Sequence, residues 1–596
     1  MSKPPTAPDA IKLMMNMGKV FEASQKIFIE YLVSKSRDTG YQVLDPVVVT
    51  RTFQEGAARA LANPRSAIEQ STKFWNDYWR LYAQSVERMW GAQPPATPVA
   101  APAPGDKRFL DESWAQDAVF DFIKQSYLLV AQHLCESAAR AEGLDDHSRK
   151  KLAFYTRQFV GAMSPANFAA TNPKVLKATL ESGGENLVRG LTNMLEDMRE
   201  GNGRLRTKMT DTGAFKLGEN IATTPGKVVF QNELIQLVQY APATETVYRR
   251  PLLIVPPWIN KFYILDLKPQ NSFIRWAVGE GHTVFVISWV NPDERLAQKD
   301  FEDYMREGPL AALDAVGKAS SEESVNVIGY CIGGTLTAST LAYMAANGDR
   351  RIASATFFTS LLDFSDVGEL SVFIDEEQIA LMEAEMRAKG YFDGANMAQA
   401  FNLLRENDLI WSFYVNNYLL GRDPAAFDLL YWNSDSTRMP ERMHSFYLRN
   451  MYLRNRLREP GALKLAGVPI DLGKVGVPTY FLSTRDDHIA PWKSTYAGTK
   501  LVSGRATFVL GGSGHIAGVI NPPAANKYCY WTRDSLAATP DAWLDGATLF
   551  EGSWWPHWGR WVAAFGGKRV PAREPGAGKL PAIEDAPGHY VKERVE

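Results

Sequence analysis

The chain has 596 residues, 45% of them hydrophobic and 22% charged, with a net charge near −2. That is the composition of an ordinary soluble globular protein long enough for two to four structural units, and the balanced charge gives no electrostatic reason to expect nucleic acid as a partner. Three cysteines, Cys135, Cys331 and Cys529, are too few and too scattered for a disulfide framework or a Cys-rich zinc site, and they suggest a reducing compartment. Met1 to Val20 lacks the continuous apolar core of a signal peptide, and no run reaches the ~18 apolar residues of a membrane span. A cytosolic protein with no membrane span is therefore expected. Sixteen tryptophans and 11% aromatic residues point to a large apolar contact, with a substrate or with a surface.

Residues 1–92 read as helical. One apolar stripe runs through Met14, Met17, Phe21, Phe28 and Leu32, and a second through Trp75, Tyr78, Tyr82, Val86 and Met89, each at near-helical spacing. Such stripes pack on each other, on the body, or on an apolar partner. Residues 93–107 (QPPATPVAAPAPGDK) form a Pro/Ala linker, stiff and extended. A second helical domain is expected over 108–205, closed by the turn signal Gly201-Asn202-Gly203.

A catalytic domain is expected over 206–596, and from about Thr223 the pattern changes to strands. Residues 227–240 read as a hairpin or long strand, and strand-length apolar runs follow at 251–255, 283–290, 325–328, 353–358, 478–483 and 506–510. Short apolar runs separated by helical or longer segments predict a mostly parallel sheet with helices on both faces. Residues 362–475, helical and aromatic-rich, are too long for a plain connection and predict an inserted lid. After Ser553-Trp554-Trp555-Pro556 the tail turns rich in Pro, Gly and charge, and is expected to wrap the surface or be poorly ordered.

The stretch Val325 to Gly334 carries the chemistry. A β-branched strand ends in Gly329-Tyr330-Cys331-Ile332-Gly333 and a helix follows, which is the pattern of a nucleophile elbow with cysteine in the place of serine. Gly329 and Gly333 would keep Cβ atoms out of the tight turn. In this arrangement an acid and then a histidine follow later strands. The strand 478–483 leads to Asp486 and Asp487, and the strand 506–510 leads to His515. Either aspartate fits the acid position. His488 competes as base but shares a loop with the carboxylates, so it reads as a pocket residue.

The oxyanion of acyl transfer needs two backbone N–H donors. Ile332 supplies one. The loop 256–261 supplies the other, and because Pro256 and Pro257 have no N–H it falls at Trp258 or beyond, at Ile259 or Asn260. Thiolate attack on a thioester yields another thioester, so the acyl group stays activated. That favours acyl transfer over hydrolysis, with a thioesterase or other cysteine-nucleophile hydrolase as the alternative. A catalytically silent binding protein would keep the aromatic helices but would not need an intact triad. No glycine-rich phosphate cradle is present, and neither a cofactor nor a metal is expected.

These motifs resemble the polyhydroxyalkanoate synthases, specifically the long single-subunit class acting on short-chain 3-hydroxyacyl-CoA. The resemblance runs from about residue 109 to 592 through SYLLVAQHL, FVGAMSPANFAATNP, ESGGENLVRG, VPPWINKFYILDLKPQNS, GYCIGG, LLDFSDVGEL, FDLLYWNSDST, DDHIAPW, GGSGHIAGVINPPAANKY, GSWWPHW and APGHYVK. It implies an α/β-hydrolase fold with a helical lid and a helical N-terminal domain. It further implies Cys331 as the acylated nucleophile, His515 as general base, and Asp487, directly before His-Ile, as the acid, with either His515 or Asp487 activating the 3-hydroxyl of the second step. Trp258 departs from the smaller residue or Phe found in relatives, and with Trp432 and His488 it is a pocket candidate. Coenzyme A would enter with the (R)-3-hydroxyacyl-CoA substrate and leave as product. A growing polyester chain, a second subunit, phasin-type proteins and the granule surface are the partners implied.

Overall fold

A computed structural model describes residues 10–37, 41–62, 64–93 and 97–594; the Leu32 side chain and residues 94–96 of the Pro/Ala stretch lie outside the described residues. The chain divides into two compact units, residues 1–211 with 399–425, and residues 212–398 with 426–596.

The first unit is helical: α1 (Ala10–Arg37), α2 (Pro46–Ala62), α3 (Pro64–Met89), α4 (Ala118–Ala139), α5 (Asp146–Ala162), α6 (Pro173–Ser182) and α7 (Glu185–Glu200) are its main helices. Their starts follow local chemistry. Asp117, Asp145 and Asn172 accept from the first free backbone N–H groups of α4, α5 and α6. Helix α1 packs on α7 through the side carrying Asn16, whose amide donates to the Gly183 carbonyl at 2.8 Å. The stripe expected to pack is largely the solvent face: Met14, Phe21 and Phe28 are exposed. On α3, Leu81 is buried, whereas Trp75, Tyr82 and Met89 are exposed.

Two boundaries differ from the sequence reading. From residue 97 the Pro/Ala stretch lies against helices: Ala100 is buried with Leu81 and Leu129, and its N–H donates to Gln125 Oε1 at 3.1 Å. Proline bars this stretch from helix, but an extended chain still has apolar surface to bury. Residues 399–425, inside the expected lid, belong to the helical unit. There Asn186 Nδ2 donates to the Leu419 carbonyl at 2.8 Å and Tyr418 Oη donates to Asp197 at 2.5 Å.

The second unit is built on an eleven-stranded sheet. Its strands are β1 (Gly226–Gln231), β2 (Ile235–Tyr240), β3 (Leu252–Val255), β4 (Val284–Trp289), β5 (Val325–Tyr330), β6 (Ile352–Phe358), β7 (Thr479–Thr484), β8 (Ala506–Gly511), β9 (Cys529–Thr532), β10 (Thr548–Glu551) and β11 (Glu584–Asp585), in the spatial order β10-β9-β8-β7-β6-β5-β3-β4-β2-β1-β11. The six from β8 to β4 are parallel, and antiparallel strands extend both ends. Strands β3, β4, β5 and β7 are buried along their whole length, as parallel strands covered on both faces must be. The expected mostly parallel sheet is present, with β5, the elbow strand, third of the parallel strands in chain order.

The tail is ordered more than its composition suggests. Helix α10 is reached after α8 (Ile332–Ala346) and α9 (Asp428–Asn433), and spans Trp555–Ala563. Trp554, Trp555 and Trp558 are at most 1% exposed and pack against Phe273. Beyond it the chain wraps the unit, contributing β11 beside β1.

Candidate active site

Strand β5 passes directly into α8, and Cys331 is the hinge between them, with φ 53° and ψ −125°. An L-residue pays roughly 1–3 kcal/mol for such a conformation. The surrounding close packing enforces it. A Cβ on Gly329 would come within 2.5 Å of Gly334 Cα, and one on Gly333 within 2.6 Å of the Pro256 carbonyl oxygen. Cys331 N–H donates to the Phe358 carbonyl of β6 at 2.9 Å, which fixes the turn to the sheet. Ile332 opens α8, so its N–H has no acceptor within the helix.

Asp487 lies past the end of β7 and His515 past the end of β8, neighbouring parallel strands. Asp487 Oδ2 sits 2.7 Å from His515 Nδ1 and accepts from Thr484 Oγ1 at 3.2 Å; Oδ1 accepts from the N–H groups of Ile489 at 2.9 Å and Ala490 at 2.8 Å. All four lone-pair positions of the carboxylate are thereby used. Asp486 is exposed. The structure thus pairs Asp487, not Asp486, with His515, and His488 stands half-buried beside them.

His515 is 4% exposed. Burial alone would push its ring toward the neutral form, but the Asp487 carboxylate, and the Cys331 side chain hydrogen-bonded to it, outweigh that and raise it to about 10. The ring is held by its backbone too, since Tyr330 Oη donates to the His515 carbonyl at 3.3 Å. The loop that follows is pinned from the tail: Trp554 Nε1 donates to the Gly518 carbonyl and Trp555 Nε1 to the Val519 carbonyl, each at 2.9 Å.

The loop after β3 is bound to the segment around α9. Thr437 N–H donates to the Ile259 carbonyl at 3.0 Å, Thr437 Oγ1 to the Trp258 carbonyl, and Asn260 Nδ2 reaches the Asn433 carbonyl at 3.4 Å. Trp432 Nε1 donates to the Lys261 carbonyl at 2.7 Å. Two pocket expectations change here. Trp258 is 2% exposed and packs among Trp289 and Tyr304, ring centroids 5.3 and 4.9 Å away, so its bulk serves the core beneath the loop. Trp432 is also buried, and its indole anchors the loop.

A nucleophilic sulfur, an imidazole within hydrogen-bonding reach and a buried orienting carboxylate make a constellation able to form and resolve an acyl-enzyme. A family model described as "Poly-beta-hydroxybutyrate polymerase (PhaC) N-terminus" matches residues 105–277, and one for the alpha/beta hydrolase fold matches 251–522. The poly(3-hydroxyalkanoate) polymerase subunit PhaC of Rhizobium meliloti is 50% identical over 98% of this chain and 96% of its own length. The chain belongs to the poly(3-hydroxyalkanoate) polymerase family. The Methylorubrum extorquens polymerase is 53% identical over 91% of this chain and 90% of its own, and the Cupriavidus necator subunit 44% identical over 87% and 88%.

Within this polymerase-family site, sequence reasoning missed four residues. Tyr447, whose hydroxyl donates to Thr335 Oγ1 at 3.4 Å, and Tyr452 come from the lid; both are near enough to Cys331 for its charge to help hold their phenols protonated, after burial. Lys261 and Asp435 are 2% and 1% exposed at the side chain and lie 2.9 Å apart beneath the loop after β3. The available signal was weak: Lys261 stands between Asn260 and the apolar run Phe262–Leu265, and Asp435 lies in the polar run Asn433–Thr437, where an aspartate reads as a loop charge.

Proposed function

We propose that the chain polymerises (R)-3-hydroxyacyl-CoA into polyhydroxyalkanoate with release of coenzyme A, through an acyl thioester on Cys331. The observation that carries this reading is the Cys331–His515–Asp487 arrangement in a chain of this family. In the first half-reaction the Cys331 sulfur attacks the thioester carbonyl. The oxyanion is met by the Ile332 N–H and by Ile259 or Asn260. As the tetrahedral intermediate collapses, the C–S bond to coenzyme A breaks and His515 protonates the departing sulfur. In the second, the 3-hydroxyl of a bound monomer or chain attacks the acyl-cysteine, forming an ester and freeing the Cys331 sulfur. His515 is the base for that hydroxyl, because the Asp487 carboxylate already accepts from four donors and serves to orient the ring.

The reaction draws its energy from the substrate thioester, so it calls for no resident cofactor or metal. On this reading the substrates are short-chain, and the enzyme is a homodimer in the cytoplasm at the granule surface, where phasin-type proteins are neighbours. Nucleic acid has no part in it. The exposed Met14, Phe21, Phe28, Trp75, Tyr82 and Met89 support an apolar contact. No helix among the described residues is long and apolar enough to cross a membrane.

The test is purified protein with (R)-3-hydroxybutyryl-CoA, following thiol release and product together, beside Cys331→Ala. Insoluble polyester and CoA release, both absent in the variant, are expected. Stoichiometric free hydroxy acid without polymer would make the protein a thioesterase, and full activity in Cys331→Ala would refute the acyl-cysteine.

A further inference from the structure

The polypeptide that offers the second oxyanion N–H is a loop, and a loop can deliver a donor to within tenths of an ångström only if something rigid holds it. On its outer side, Trp432 and Thr437 donate to the carbonyls of 258, 259 and 261, and the Asn260 amide donates to the Asn433 carbonyl, tying the loop to the segment 432–437. Beneath it, the Lys261 side chain runs inward. Its ammonium lies 2.9 Å from Asp435 Oδ1, an ion-pair distance, and donates to the Glu593 carbonyl at 2.6 Å. Asp435 is held in turn: Tyr263 Oη donates to its Oδ2 at 2.8 Å, and Arg594 Nε is 3.6 Å from Oδ1, with the guanidinium 4.6 Å from the Tyr431 ring.

Burying an ammonium and a carboxylate costs more in desolvation than the pair returns, and a well-packed apolar pair would serve stability as well or better. Burial in fact pushes Lys261 down despite its partner. A group of this kind fixes geometry. It joins three chain segments remote in sequence, the loop after β3, the stretch after α9 and the last described residues, in a single arrangement.

We infer that Lys261 is a positioning residue for acyl transfer: clamped by Asp435 and the Glu593 carbonyl, it holds the loop so that the Ile259 or Asn260 N–H meets the oxyanion. This rests on the acyl-cysteine reading above. The role is indirect: the ammonium is paired with Asp435 and donates to the Glu593 carbonyl, and the loop backbone is what meets the oxyanion.

Two reactions of Cys331 separate this role from a merely structural one. Alkylation by iodoacetamide is a displacement at saturated carbon and needs the sulfur, His515 and Asp487 but no oxyanion donor. Acylation by (R)-3-hydroxybutyryl-CoA needs that donor. The variant is Lys261→Met combined with Asp435→Asn, which removes both charges together and leaves Tyr263 an acceptor. We expect its alkylation rate to stay within about twofold of wild type while kcat for CoA release falls ten- to a hundredfold with KM little changed. Lys261→Arg, which keeps the charge, should recover most of kcat. Turnover within twofold of wild type would overturn the inference, and so would an equal fall in alkylation and turnover. Should the double variant fail to fold, Asp435→Asn alone is read against the same two outcomes. Failure of the polymerase reading would show separately, as wild-type protein that releases CoA without polymer.

Discussion

Asp487→Asn isolates what the carboxylate does. Raising His515 from 6.5 to about 10 amounts to about 5 kcal/mol of preference for the protonated ring, and Asp487 makes the largest contribution that opposes burial. An asparagine keeps the shape and loses this charge, so burial then drives the ring toward neutrality. The amide has a second effect. Its oxygen is claimed by the Ile489 and Ala490 N–H groups at 2.9 and 2.8 Å, which turns its NH2 toward His515 Nδ1. Nδ1 must then accept, the ring proton moves to Nε2, and the imidazole can no longer take a proton from the Cys331 side. Together these predict a fall in kcat of about 10³- to 10⁴-fold, or about 4–5 kcal/mol in the barrier. CoA release measured with a thiol reagent gives kcat. Thermal unfolding shows whether the fold survives, and Asp486→Asn, at an exposed position one residue away, is the control expected within twofold of wild type. If Asp487→Asn keeps more than a tenth of wild-type kcat, the assignment of the orienting acid is wrong.

Other consequences follow from the elbow and from two buried imidazoles. Glycine ordinarily costs ~0.5–1 kcal/mol relative to alanine, but at φ 53° the order should reverse or vanish, so Cys331→Gly should unfold at or above the midpoint of Cys331→Ala, while both are inactive. Gly333→Ala drives a methyl into the Pro256 carbonyl at the mouth of the loop after β3; a loss of about 1–3 kcal/mol in denaturant unfolding and at least a tenfold loss of kcat are expected. His282 and His444 are buried and held down to about 4 by desolvation. In the unfolded chain they take up protons below about 6.5, so each withdraws stability as pH falls from 6.5 to 4, up to about 3 kcal/mol. His444, stacked on Phe392 at 4.9 Å, is the cleaner test: His444→Phe should flatten the decline in unfolding free energy across that window, and an unchanged slope would refute it.

Much of the second unit was legible because its signals are local. Each parallel strand is a largely buried apolar run bounded by turn residues; Cys331 directly follows one, and Asp487 and His515 lie in the loops just past two others. The choice between Asp486 and Asp487 was not local: it depends on which carboxylate the loop 484–490 folds around, and the N–H groups of Ile489 and Ala490 choose Asp487. Helix α1 shows a different limit. Apolar residues line both of its faces, so periodicity found a stripe at Met14, Phe21 and Phe28 but not that α7 covers the side bearing Asn16. Strands β9 and β10 were missed because Cys529–Thr532 and Thr548–Glu551 are short and partly or wholly exposed, without a buried strand's apolar run. Residues 399–425 read as lid because nothing in them names the distant Asn186 and Asp197 that hold them.

The order of the strands governs how the site comes into being. Strand β5 lies between β3 and β6, about seventy and thirty residues away in sequence, and the acid and base arrive on β7 and β8 only after the lid has been threaded out and back. Parallel pairings of this range close large loops before any contact repays them, so they form slowly. During refolding from denaturant, helical circular dichroism should return first. The capacity to be acylated should return last, with the docking of β8, and a partly folded chain would hold an exposed cysteine with no imidazole beside it.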